Sequence, residues 1–579
     1  MDVEPLPAAA CAGGRSLSEP VLSPDGSEVA FVAGDEDGSR VVVVPTAGGP
    51  ERVVAADPEP AGRGGVLAWV DGGIAYVTRD GGICLSRVHR VRNPHPMYSG
   101  SGAAALAASP DGRRLAFVDD TRAVSVVAAV GGDVEVVAAG ADFALDPSWA
   151  PDGRLAWQEW DVPAMPWDES RVAVDGKPVA GGPDVAVQEP RWSPDGSSLA
   201  YLSDAGGWQN LWVGGRPLVA EEREHGGPAW GPGLRSFAWS PDGREIAFCR
   251  NEAGFGVLCV ADVATGSVRE LSRGVHSSIT WAGDTIACLR SGARTPTSVV
   301  AVDPATGARR VLATGPSGDL AAAAAWMPEP EVVSWEGDDG AVVRGRLWRP
   351  PAGDDPPPLL VWAHGGPTGQ FRVIFDDDAA FFLSRGFAVL HPDQRGSTGW
   401  GRGWAQALRG GWCDVDVADV AAGARAAVER GWGHPDRLVA VGSSSGGTVA
   451  LLAAALEPDR WAGVVALYPV ADLLDLVAAT HRYEAHYPVR LIGPLPEAAG
   501  LYRDRSPLAV ADRITAPVLL LHGADDPVVP AAQSERLAGA LRSAEHHVYA
   551  GEKHGWRSPA TARDALERTA TFVSAAMAR

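Results

Sequence analysis

"SPDGSEVAFV", Ser23–Val32, is a turn that runs straight into a strand, and the chain repeats it down its first half. Proline presets φ at the first turn position, aspartate bonds its own backbone, glycine accepts a positive φ, and the alternating residues that follow suit a half-buried strand. Clear copies begin at Ser109 (SPDGRRLAFV), Ala150 (APDGRLAWQ), Ser193 (SPDGSSLAYL) and Ser240 (SPDGREIAFC), with worn copies at Trp69 (WVDGGIAYV) and Trp281 (WAGDTIACL). Marked by Asp25, Asp71, Asp111, Asp152, Asp195, Asp242 and Asp284, the copies are 46, 40, 41, 43, 47 and 42 residues apart. Units of that length, each built on a hairpin, predict four short strands apiece stacked radially, which is a seven-bladed β-propeller over residues 1–320. An open β-solenoid is the competing arrangement. A propeller supplies a surface and a scaffold, so the chemistry is to be sought elsewhere.

After residue 325 the period changes. Buried apolar strands such as LLVWAH (359–364), FAVLH (387–391), RLVAVG (437–442), WAGVVAL (461–467) and PVLLLHG (517–523) alternate with helical stretches such as DVDVADVAAGARAAVERG. Alternation of this kind predicts a doubly wound, mostly parallel α/β domain over residues 325–579.

Within it, strand RLVAVG and helix TVALLAAAL are joined by Gly442-Ser443-Ser444-Ser445-Gly446, the pattern G-x-S-x-G. In such an elbow the central serine is held strained and exposed above the sheet, which makes Ser444 the candidate nucleophile. Ser443 and Ser445 are expected to pack, although the Ser445 N–H stands where an oxyanion donor is needed. The remaining partners follow in the order acid, then histidine. Strand PVLLLHG runs into ADDPVVP, where Asp526, directly before the proline, is preferred to Asp525 as the acid, and His554 lies in the glycine-bracketed loop YAGEKHGWRSP. The HGGP stretch, His364–Pro367, follows another strand, so Gly366 N–H is the second expected oxyanion donor and His364 itself a structural residue.

Bulk properties exclude several alternatives. The 579 residues carry a net charge of −22, which opposes binding to nucleic acid or to an anionic membrane. No run of about 18 apolar residues suggests a membrane span, and the opening MDVEPLPAAACAGG lacks the basic and apolar regions of a signal peptide. A cytoplasmic location is expected. Six scattered cysteines without CxxC spacing indicate neither zinc nor a disulfide framework, and the expected chemistry needs no metal or organic cofactor. Trp192 and Trp239 are expected to pack between blades, Cys413 to be a buried small residue, and Asp376-Asp377-Asp378 to be solvated acids on a surface helix or loop.

A propeller followed by such a domain resembles the prolyl oligopeptidase family of serine peptidases over nearly the whole chain. WDVPAMPWDES (160–170), HPDQRGSTGWG (391–401) and YRDRSPLAVADRITAPVLLLHG (502–523) look like that family, and the HGGP and RGSTGWG segments lean towards its acylaminoacyl-peptidase and dipeptidyl-peptidase-like branch. The resemblance implies a C-terminal α/β-hydrolase domain, an active site between the two domains, and a preference for short peptides or acyl-aminoacyl amides. Monomers and homo-oligomers both occur among such relatives. Dipeptidyl peptidases hold the free amino terminus with paired glutamates on the propeller side; here Glu221 and Glu222 of EEREHGGP, with Glu224 beside them, are the residues available for that role, and a solvated charge run is the other reading. Many relatives carry Tyr after the nucleophile and Arg or Asn two residues after the aspartate, where this chain has Ser445 and Val528.

The expected function is therefore hydrolysis of amide bonds in short peptides or aminoacyl amides through an acyl-enzyme. A specialised small-molecule amide or ester hydrolase is the alternative, and a silent binding scaffold is a third reading that the complete Ser444, Asp526 and His554 set opposes.

Overall fold

The computed structural model describes residues 4–11, 14–59, 64–88, 94–120, 123–138, 140–315, 324–351 and 353–578. Among them, seven four-stranded antiparallel sheets form successive blades over residues 16–56, 67–98, 104–138, 143–181, 187–217, 237–273 and 275–314. The expected boundary at residue 320 lies outside the described residues.

The repeated turn works as its residues dictate. Ser23 Oγ donates to Asp25 Oδ1 at 2.6 Å and accepts from the Glu28 N–H at 3.0 Å. The same serine-to-aspartate bond recurs at Ser109 and Asp111, Ser193 and Asp195, and Ser240 and Asp242. These bonds draw the Asp25 and Asp195 carboxyls down to about 2. Tryptophans join three of the blades to the one before. Trp69 Nε1 donates to the Val21 carbonyl at 3.0 Å, Trp149 to Ala107 at 3.1 Å, and Trp239 to Arg191 at 3.1 Å. Trp192 takes the Arg154 guanidinium on its face. Each blade uses a contiguous stretch of chain, and the first and last blades meet through side chains: Val29, Phe31, Ala287 and Val299 share one apolar cluster.

The second domain is built on an eight-stranded sheet: β1 (Glu331–Glu336), β2 (Val342–Trp348), β3 (Leu359–Ala363), β4 (Ala388–Asp393), β5 (Leu438–Ser443), β6 (Gly463–Leu467), β7 (Val518–Gly523) and β8 (Ala544–Tyr549). Their order in the sheet is β1-β2-β4-β3-β5-β6-β7-β8, parallel from β4 onward. Successive side chains of a strand face opposite sides, and β5 shows the result. Leu438 and Ala440 join the core beneath helices α1 (Val415–Glu429) and α2 (Ser445–Leu456), while Val439 and Val441 join the opposite core with Phe572 and Val573 of α3 (Pro559–Met577). Residues 4–11 complete that second face: Leu6, Ala8 and Cys11 are buried there, the Leu6 N–H donates to Ser384 Oγ at 3.0 Å, and Arg385 Nη1 donates to the Leu6 carbonyl at 2.8 Å.

One propeller segment touches both domains. Between blades 5 and 6, the Ala229 carbonyl accepts from Tyr483 Oη and Trp230 Nε1 donates to the Thr368 carbonyl at 2.7 Å. Three residues on, the Gly233 N–H donates to Asp146 and the Leu234 carbonyl accepts from Arg191. Gly65, Ala105, Asp146 and Arg191, from or beside four successive blades, line one cavity with Gly233, so the segment reaches the axis of the ring.

Asp376-Asp377-Asp378 begins a helix: Asp376 caps Asp377–Leu383, accepting from the Ala379 N–H at 2.9 Å, and the other two occupy its first turn, where the helix dipole favours acids, with Asp378 exposed. One sequence expectation fails. Glu221 and Glu222 do not reach the domain cleft. Glu221 Oε1 lies 2.7 Å from His225 Nε2 and Oε2 3.7 Å from Arg250, while Glu222 is exposed. The residue that turns inward is Glu224, held by a β-bridge to Asn251.

Candidate active site

At the end of β5 the chain reverses into α2 with no room for side chains at the crossing. A Cβ on Gly442 would stand 2.2 Å from the Gly446 carbonyl, and one on Gly446 2.2 Å from the carbonyl oxygen of Ala363 in β3, so the helix approaches both strands this closely only through glycine. Ser444 sits at the apex with φ 53° and ψ −126°, and its N–H is tied to the Leu467 carbonyl at 2.9 Å. That backbone is strained for serine and directs its Oγ out of the sheet.

Ser444 Oγ lies 2.9 Å from His554 Nε2, and His554 Nδ1 lies 2.6 Å from Asp526 Oδ2. Asp526 is fixed by its own loop, Oδ1 accepting from the Val528 and Val529 N–H groups at 2.8 and 2.9 Å. His522, at the end of β7, stands 3.4 Å from Asp526 Oδ2 and 2.8 Å from the Val529 carbonyl. Burial alone raises the Asp526 pKa, but the hydrogen bonds from His522 and His554 and the charge of His554 overcome it and hold the carboxyl well below its ordinary value. Asp525 is exposed. The structure thus brings together three of the residues expected from the sequence.

The expected oxyanion donors flank Ser444. Ser445 opens α2, where N–H groups have no intrahelical partner. Its side chain is engaged elsewhere: Oγ accepts from Trp412 Nε1 at 2.9 Å in a buried contact. Gly366 has φ +119° and lines a small cavity together with Ser444, Ser445 and Val528. His364 is buried, its Nδ1 2.7 Å from the Gly365 carbonyl and its Nε2 2.7 Å from Ser397 Oγ. Burial lowers its pKa, consistent with a neutral structural ring.

Tyr487 forms a wall common to that cavity and to a larger cleft between the domains. Tyr487 Oη bonds Thr368 Oγ1, and its ring packs edge-on against Trp167 and Trp230. Glu224 lines the cleft and accepts from the Gly399 N–H at 2.7 Å and the Gly401 N–H at 3.2 Å, while Arg402 pairs with Asp204 at 2.6 Å. Burial raises the Glu224 carboxyl to about 7. Sequence reasoning missed Trp412, Tyr487 and this role of Glu224; of these, only the acid in EEREHGGP left a signal. Among the described residues no group of three or more His, Cys, Asp and Glu is placed to hold a metal, and no helix is long and apolar enough to cross a membrane.

Comparison with known proteins bears on the family and the fold. The model of the prolyl oligopeptidase family matches residues 374–579. Dipeptidyl peptidase family member 6 of Caenorhabditis elegans is 30% identical over 228 residues, 38% of this chain and 31% of that protein, so the chain spans about a third of the length of this curated relative. Among solved structures, a Mycobacterium tuberculosis puromycin-hydrolyzing peptidase superposes with a TM-score of 0.89 at 30% identity, covering 99% of this chain and 96% of the other. A puromycin hydrolase gives 0.87 at 28% identity, covering 100% and 97%.

Proposed function

Because the chain belongs to the prolyl oligopeptidase family of serine peptidases, we propose that it hydrolyses amide bonds of short peptides or of aminoacyl and acyl-aminoacyl amides, with Ser444, His554 and Asp526 as its catalytic triad. The observation that carries the reading is the continuous relay from Ser444 Oγ through both nitrogens of His554 to the buried Asp526 carboxylate.

In the first half-reaction Ser444 Oγ attacks the carbonyl carbon as His554 Nε2 takes its proton. Asp526 keeps the other imidazole proton on Nδ1 and stabilises the imidazolium. The N–H groups of Ser445 and Gly366 receive the developing oxyanion. The C–N bond then breaks, the amine leaves with the proton from His554, and Ser444 holds the acyl group as an ester. Water, deprotonated by His554, attacks that ester, and breaking the Oγ–C bond returns the proton to Ser444 and frees the acid. Walls from both domains around the cleft favour small substrates over folded ones.

The similarity to puromycin-hydrolysing structures, with Ser445 and Val528 where many relatives carry other residues, favours as a second reading a small-molecule amide or ester as the physiological substrate. Matched chromogenic free aminoacyl, dipeptidyl and N-acetyl-aminoacyl amides, beside simple esters, test the two with wild type and Ser444→Ala. Amide turnover lost in the variant supports the peptidase reading. Turnover of esters alone moves the assignment to the second reading, and no turnover of either overturns both.

A further inference from the structure

The cavity beside the nucleophile is walled by apolar groups on most sides, among them Val470, Leu476, Pro488 and Val528, with Trp412 and Tyr487 also lining it. Two polar side chains from one short stretch break that pattern. Glu484 lines the cavity with a side chain 22% exposed. Thr480, which ends the helix Leu473–Ala479, lines it too, and its buried Oγ1 has no hydrogen-bond partner among the described residues. Glu484 Oε1 is 3.3 Å from Nε2 of His481, whose own side chain is 41% exposed.

A carboxylate and an unpaired hydroxyl are costly ornaments for a pocket meant to hold a plain hydrocarbon, since a purely apolar occupant would strip water from both and return no hydrogen bond. An occupant with an aliphatic stem and a cationic, donating end avoids that cost: the stem lies along Val470, Leu476 and Val528, and the head donates to Glu484 and Thr480. The pocket shares Ser444, Ser445 and Gly366 with the reacting centre, so its occupant is the side chain of the residue whose carbonyl is attacked.

We propose that Glu484 and Thr480 make this a pocket for a basic side chain, so that the hydrolase prefers lysine or arginine on the acyl side of the scissile bond; the inference rests on the catalytic assignment above. Selectivity of this kind comes from leaving buried polar groups unpaired when the wrong substrate binds.

The test compares kcat/KM for lysine, arginine, norleucine and phenylalanine amides bearing one leaving group, with wild type, Glu484→Gln and Thr480→Val. Wild type is expected to favour lysine over norleucine by at least about tenfold, Glu484→Gln to lose most of that ratio, and Thr480→Val to lose a smaller part. The ratio within one preparation does not depend on how much of a variant is folded. Equal wild-type turnover of lysine and norleucine amides, or a lysine preference that survives Glu484→Gln, overturns the proposal and leaves the catalytic assignment standing. Wild-type protein that cleaves none of the amides, and no simple ester either, overturns both.

Discussion

Asp526 and His554 meet at 2.6 Å, carboxylate to Nδ1, although 28 residues separate them; Asp525, one residue earlier, faces solvent. The distinction predicts opposite outcomes for two amide substitutions. Asp526→Asn loses the acceptor that fixes the histidine tautomer, and kcat is expected to fall by about 10⁴-fold. Asp525→Asn is expected to stay within about twofold of wild type, since surface changes away from such features have small effects. Steady-state kinetics on any substrate that wild type turns over decides between them.

Gly366 and Ser445 separate backbone from side-chain contributions. With φ +119° and the Thr368 N–H only 2.8 Å from where a Cβ would stand, Gly366→Ala must shift the loop and is expected to lower kcat by about 10²–10³-fold, the cost of an oxyanion donor. Ser445→Ala keeps the N–H but leaves the Trp412 indole unpaired. Stability is expected to drop by about 1–3 kcal/mol, with a kcat change below about tenfold. Denaturant unfolding read beside kinetics on both variants distinguishes the two effects.

The domain interface carries a pH signature. Burial holds the Glu224 carboxyl near 7 against an ordinary value of 4.5, opposed by the Gly399 and Gly401 N–H groups and Arg372 and aided by Asp204. The folded protein therefore binds this proton more tightly than the unfolded chain, and this group's contribution to stability falls as pH rises from 4.5 to about 7. Asp204 is raised by burial as well, despite Arg402, and adds a slope of the same sign. Glu224→Gln is expected to flatten the dependence while losing one of the two accepted bonds, at about 1 kcal/mol. Tm measured from pH 5 to 8 in both proteins is the check; identical slopes would exclude Glu224 as the source.

Trp230 joins the propeller to the oxyanion loop through the Thr368 carbonyl and packs 4.3 Å from the Trp167 ring centre. Trp230→Ala removes both contacts. It is expected to reduce kcat/KM by about tenfold with a smaller loss for Trp230→Phe, which keeps part of the packing. Unchanged kinetics in the alanine variant would show that the loop holds its place without the propeller.

Local chemistry was legible before the fold was seen. The serine-aspartate turn, the glycines of the elbow and the acid before Pro527 each act within a few residues, so Ser444, Asp526 and His554 could be named from order and spacing. Glu224 could not be separated from Glu221 and Glu222, because what distinguishes it is a bridge to Asn251 and two N–H groups some 175 residues away. The indole of Trp412, the wall made by Tyr487 and the docking of Leu6 against Ser384 are likewise long-range contacts with no periodicity to announce them.

The position of residues 4–11 changes what kind of object the propeller is. Leu6, Ala8 and Cys11 belong to the core of the α/β domain, which resumes only after the seven blades are complete. Topologically the ring is an insertion within the catalytic domain, and the two sequence halves are not two folding units laid end to end. The α/β core cannot close until a chain of some 300 residues has been looped out and its ends brought back together, a closure whose entropic cost grows only logarithmically with length. Assembly of the ring brings its two ends near each other, so the propeller acts as a splint for the domain it interrupts.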